Sequence, residues 1–288
     1  MDDRNMRIQT ESWGVYRKAH NNGKRSVRKM ARQGANPYLL SLDSFLNDDM
    51  IADRVSLGVM DIPTEAIVGV AAPDKRELYS HDFLPLSHPD TDFSTKWCKL
   101  YWYYLGNKGI RCPISCYEYM GKFYIQDGIK RVSIAKCHGV PTITASVIRL
   151  LPKKTEEPEI QQYYEFVRAF ERTGLYQINF SRPESFDKFQ RAMGFEPDYR
   201  WNEADRLEFL FNWPLFEHAF EEAFGGYLKI TPADVFLVLL EDYPFEKLRE
   251  MSLIVLVQLM RKKWNKLLEI QKQQDGSGEA VPAKIMML

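Results

Sequence analysis

Between Glu11 and Asp43 the sequence has no acidic residue, and no other stretch departs as far from an even mixture of charge. Over the whole chain Lys plus Arg and Asp plus Glu are both 39, so net charge neither requires nor excludes a polyanionic partner. There is no Cys-x-x-Cys pair among Cys98, Cys112, Cys116 and Cys137, which excludes the usual zinc knuckle. Cys112 and Cys116 flank Pro113 in a strand-like segment, and with His138 they make a poor ligand set. No secretory signal is legible, so reduced thiols and a cytoplasmic location are expected. No apolar run approaches the roughly 18 residues needed to span a bilayer. The most apolar stretch, residues 251–260, lies between Arg249 and Arg261 and reads as a core or interface helix, so no membrane partner is expected.

What is present suits a folded protein: 45% hydrophobic and 13% aromatic residues in a chain of 288 can bury a large core. Residues 1–34 are basic and polar with little hydrophobic periodicity, and read as a flexible arm. Arg17, Lys18, Lys24, Arg25, Arg28, Lys29 and Arg32 stand there around Asn21-Asn22-Gly23. The arm is either solvated or a contact for DNA through residues 17–32. Residues 35–151 read as an α+β domain. A small helical element is expected in 36–53, followed by strands at 57–63 and 67–70. A helix at 93–105, a hairpin at 113–126, a helix at 130–138 and an alternating strand at 142–150 complete it. A charged, proline-bounded linker, residues 152–158, separates this from a mainly α-helical domain over 159–273. Helices are expected there at 159–172, 185–193, 202–224 (interrupted at Pro214), 231–240 and 245–273. Thr231-Pro232 is an N-cap and N1 pair. Residues 274–288 read as a disordered tail.

One corner concentrates chemistry. A strand ending at Asp127, a turn at Gly128 and a helix opening with Lys130 and Arg131 form an anion-binding arrangement. Glycine permits a left-handed turn, and the helix start offers unpaired N–H donors and partial positive charge. Two cations at a helix N-terminus oppose the macrodipole by about 0.3–1 kcal/mol each, a cost that a bound anion would offset. Asp127, Gly128, Lys130, Arg131 and Ser133 are therefore the candidate phosphate ligands. Asp127 reads as a helix cap, or as a metal or general-base carboxylate. No other acid has a spacing that assigns it a role.

The pattern Gly121-x-Phe123-Tyr124-Ile125-x-Asp127-Gly128-x-x-Arg131-x-x-x-Ala135-x-x-x-Gly139, followed by Ile143-x-Ala145-x-Val147, resembles the ParB/sulfiredoxin superfamily over roughly residues 58–151. The resemblance implies a ParB/sulfiredoxin-like domain that holds a nucleoside triphosphate, CTP or ATP, with or without Mg²⁺. Sulfiredoxins place their reactive cysteine where this chain has Ile129, so sulfinic-acid reduction is not expected. The family's His-x-Arg version becomes Ile129-Lys130-Arg131, which replaces an imidazole by a fixed charge. The downstream helices are crowded with aromatics and suit packing better than a DNA groove.

Three functions follow as expectations. The first is a nucleotide-gated regulator that associates with itself as a homodimer, or with a partner or DNA. The second is an NTPase or small-molecule kinase using Asp127 or an upstream acid. The third is a DNA-binding protein acting through the basic arm.

Overall fold

The computed structural model describes residues 3–74, 76–106, 112–182, 184–228 and 230–275. The chain divides into two compact units, Met1–Lys154 and Thr155–Leu288. The first is built on a six-stranded mixed sheet in the order β1-β3-β5-β4-β6-β2, so the architecture is α+β in its first unit. Its strands are β1 (Leu40–Ser41), β2 (Ile51–Pro63), β3 (Ile67–Val70), β4 (Ile114–Tyr119), β5 (Lys122–Asp127) and β6 (Thr142–Pro152). Helices α1 (Asp3–Arg32), α2 (Asp92–Gly106) and α3 (Ile129–Cys137) accompany them.

Alternation sets the sheet faces. Ile143, Ala145, Val147 and Arg149 of β6 are buried on one side, and Ile114, Cys116 and Glu118 of β4 lie beside them. At the far end of this row Glu118 faces Arg149 in the parallel β4–β6 register. Arg149 donates its Nε hydrogen to Glu118 Oε2, and both side chains are excluded from solvent. Glu118 Oε1 also accepts the Gly121 amide at 2.7 Å, which ties the ion pair to the β4–β5 turn.

The basic N-terminal segment is not an irregular arm. It is α1, a 30-residue helix with Tyr16 wholly buried and Ala19 and His20 nearly so. Tyr16 meets Trp97 of α2 edge-on at 5.3 Å, and its hydroxyl donates to the Ser87 carbonyl at 2.7 Å. Ser26 donates to Asp82 at 3.2 Å. Gly23 sits where a Cβ would lie 3.1 Å from Leu84, Leu86 and the Pro85 carbonyl, so the absent side chain lets the helix approach this loop closely. These contacts fix which face of α1 points inward. Residues 36–53 differ from expectation too: two 3-10 turns, Leu42–Ser44 and Asp48–Met50, replace the helical element, and β2 begins already at Ile51.

His20 gives this packing a pH dependence. It stacks on Tyr16 at 6.2 Å, and neither ring nitrogen has a hydrogen-bond partner. Burial lowers its pKa, Lys24 and His88 lower it further, and the nearby Pro85 carbonyl opposes them only in part. The folded state thus binds fewer protons than the unfolded chain, where histidine titrates near about 6.5. Stability from this site is present above that pH and is lost as pH falls below it. In thermal melts from pH 7.5 to 5.5, His20→Phe should show a shallower decline in Tm than wild type; equal declines would contradict this.

The second unit is helical: α4 (Pro158–Thr173), α5 (Ser185–Ala192), α6 (Glu203–Phe224), α7 (Pro232–Leu240), α8 (Phe245–Leu248), α9 (Leu253–Lys262) and α10 (Trp264–Asp275). Its core is aromatic, with Phe189, Phe209, Trp213, Phe216 and Phe236 in one cluster. Thr231 caps α7 in a reciprocal box with Asp234. Two expectations are corrected. Pro214 lies inside a continuous α6, because Trp213 and Phe216 on either side anchor both halves in the same core. The stretch 245–273 is three helices rather than one, since Ser252 has extended backbone geometry and Lys263 leaves the helical region. The expected tail, apart from the end of α10, lies outside the described residues. Among the described residues no helix is long and apolar enough to cross a membrane.

Candidate functional site

The strand–glycine–helix corner forms as its residues require. Gly128 has φ 102° and ψ 17° between β5 and α3, and its carbonyl accepts from the amides of Arg131 (2.8 Å) and Val132 (3.1 Å). The two cations then part. Arg131 folds back over Gly128, donating through Nη1 to the carbonyls of Cys112 and Pro113 and through Nη2 to Asp127 Oδ2, each at 2.7 Å. Lys130 turns toward the start of α2, its ammonium 4.9 Å from the centre of the Phe93 ring. There it adds to the field of Lys96, whose hydrogen bond is the main cause holding the Asp92 carboxyl below its ordinary range.

The volume over Gly128 is filled. A Cβ built there would lie 2.6 Å from Ile114 Cγ2 and 2.9 Å from both Arg131 Nε and Nη2. The Asp-Gly-x-x-Arg pattern therefore has a structural explanation: the glycine leaves room for a guanidinium that clips the entry of β4 to the end of β5 and the start of α3. In this arrangement the Arg131 side chain occupies the space beside Gly128. Asp127, though exposed, accepts from Arg131 through Oδ2. Ser133 is corrected outright as a surface donor: it is fully buried and accepts from Trp97 Nε1 at 3.1 Å. Thiol chemistry is also disfavoured at three of the four cysteines, since burial pushes the Cys98 thiol up to about 11 and the Cys116 and Cys137 thiols up to about 12.

Gly128→Ala tests the clip. It imposes left-handed geometry on alanine, costing about 1–2 kcal/mol, and adds a clash worth about 1–3 kcal/mol. Denaturant titration should show a total loss of about 2–5 kcal/mol, whereas a loss below about 1 kcal/mol would mean that the guanidinium does not sit over this carbon.

The larger concentration of unmatched charge is on α1. With about 100° of rotation per residue, Arg17, Lys18, Lys24, Arg25, Arg28, Lys29 and Arg32 fall within a sector of about 140° opposite Tyr16, Ala19, His20 and Gly23. All of these cations are exposed, and none forms an ion pair with a described residue. At about 1.5 Å of rise per residue they line about 22 Å of helix. Lys29 and Arg32 stand in its last turn, where the macrodipole favours them.

No family model, curated protein or solved structure matches the chain. The geometry alone therefore ranks the two candidate sites. The corner brings Asp127, Gly128 and Arg131 together but uses them internally, and it separates them from Lys130 and Ser133. The α1 face presents its cations outward, and none of them forms an ion pair with a described residue. Sequence reading missed that this face is ordered. The signal was present in Ser12, Tyr16, Ala19, Gly23 and Met30, at helical spacing, but Ser12, Ala19 and Gly23 are too small or too polar to complete an apolar stripe.

Proposed function

We propose that the protein binds nucleic acid, specifically duplex DNA, through the basic face of α1. The observation carrying this reading is the single-sided array of seven exposed cations from Arg17 to Arg32 on a helix whose other face is packed away. Duplex DNA carries one charge per about 1.7 Å of axis, so a bar of about 22 Å can meet several phosphates at once and release their counterions. An anionic membrane is a poorer partner. Interfacial helices insert an apolar face, and the apolar face of α1 is occupied by α2 and the 84–87 loop. The test is fluorescence anisotropy on a labelled 20-base-pair duplex at about 50 mM salt, with phosphatidylserine vesicles alongside. Binding to the duplex and not to the vesicles is the expected result; no binding to the duplex overturns the proposal.

A second reading is a nucleoside triphosphate with Mg²⁺ at the α3 corner of a ParB-like domain. It is favoured by the left-handed Gly128 at a helix start and by two cations on the first turn. It requires Arg131 to release the Cys112 and Pro113 carbonyls. Thermal shift with CTP and ATP plus magnesium decides it: a rise in Tm for either supports this reading, and no rise with both excludes it.

A further inference from the structure

Six of the seven exposed cations on α1 are sorted by type, with the seventh, Arg17, on the Lys24 flank at about 100° from Tyr16, and the sorting points to more than attraction to a backbone. Taking Tyr16 as the buried meridian and about 100° per residue, Arg28, Asn21, Arg32 and Arg25 fall between about 120° and 180°. They occupy positions i, i+4, i+7 and i+11 counted from Asn21, a single line along the outermost surface of the helix. The lysines lie off that line, with Lys24 at about 80° on one flank and Lys18 and Lys29 at about 200° and 220° on the other. All seven of these side chains are exposed.

We infer that α1 enters the major groove of duplex DNA, with Asn21, Arg25, Arg28 and Arg32 facing base edges and Lys18, Lys24 and Lys29 reaching the phosphates on either side. This rests on the proposed function and specifies its ligand. The chemistry matches the positions. An arginine fork pairs with O6 and N7 of guanine, and an asparagine amide pairs with N6 and N7 of adenine. A lysine ammonium is a point charge suited to phosphate oxygens. The major groove, about 12 Å wide, admits an α-helix, and its two walls are phosphate-lined, as the flanking lysines require. From Asn21 to Arg32 the line is about 16 Å long, or about five base pairs. No acidic side chain occurs between residues 12 and 42 to repel the groove walls. Small or buried residues on the opposite face, Ala19, His20 and Gly23, hold the helix on its own unit, so the reading surface is presented rigidly.

The test uses the full chain. A duplex library with a randomised core is selected at about 150 mM salt, and anisotropy then compares the enriched duplex with a scrambled one. The expected result is an enriched purine-containing core of about five base pairs. Arg25→Lys, which keeps the charge and loses the fork, should reduce the preference for that core about tenfold while leaving binding to scrambled DNA within about twofold. Lys24→Gln should weaken both duplexes equally. If wild type binds duplexes but no sequence is enriched, or if Arg25→Lys keeps the full preference, α1 lies on the backbone and this inference fails while the proposed function stands. If no duplex binds even at about 50 mM salt, both fail.

Discussion

Arg149→Met is expected to cost about 3–5 kcal/mol of folding stability, the range seen when one partner of a buried ion pair is removed. Glu118 would lose its cationic partner where no solvent can replace it, because both side chains are shut inside the sheet between β4 and β6. Its bond from the Gly121 amide remains but does not neutralise the charge. Glu118→Leu should cost a similar amount for the mirrored reason, and it also removes the acceptor of that amide. The two losses should not add. In the double variant, Glu118→Leu with Arg149→Met, both charges leave together and apolar side chains of similar reach fill the space, so most of the loss should be recovered. Guanidinium titration of the four proteins measures this cycle. Single-variant losses below about 1 kcal/mol, or losses that simply sum in the double variant, would show that the pair is not buried and coupled as described.

The second large effect is on binding. Replacing Arg17, Lys18, Lys24 and Lys29 together by glutamine should lower duplex affinity about 10³- to 10⁴-fold at about 0.1 M salt, since each phosphate contact contributes nearly tenfold there. Glutamine is a good helix former and the four side chains are exposed, so α1 and its packing should survive unchanged. Far-UV circular dichroism and an unaltered Tm provide the control. A loss below tenfold in a protein with intact helix content would place the binding surface elsewhere on the chain.

Much of the first unit was legible because its signals are local. Ile143, Ala145 and Val147 alternate as a half-buried strand must, and Gly128 stands where a strand turns sharply into a helix. Thr231-Pro232 likewise marked the start of α7, where the capping box forms. What was not legible depends on partners distant in sequence. The inward face of α1 is recognisable only once Trp97 and the 84–87 loop are brought against Tyr16 and Gly23. The destination of Arg131 is set by two carbonyls eighteen and nineteen residues earlier. A cation that looks free in sequence is thus committed in the fold, and cations assigned to a flexible arm form an ordered array. Pro214 shows the same override: aromatic packing on both sides outweighs a residue that ordinarily interrupts a helix.

Counterion release separates phosphate contact by the α1 face from any other mode of binding most directly. The measurement is the slope of log affinity for duplex DNA against log salt, from about 50 to 300 mM, in wild type and in the four-glutamine variant. Engagement of the α1 face predicts a wild-type slope of about −4 to −6, shallower by about 3.6 in the variant, from about 0.9 per lost contact. Parallel slopes in the two proteins, or a nearly flat slope in wild type, would contradict it.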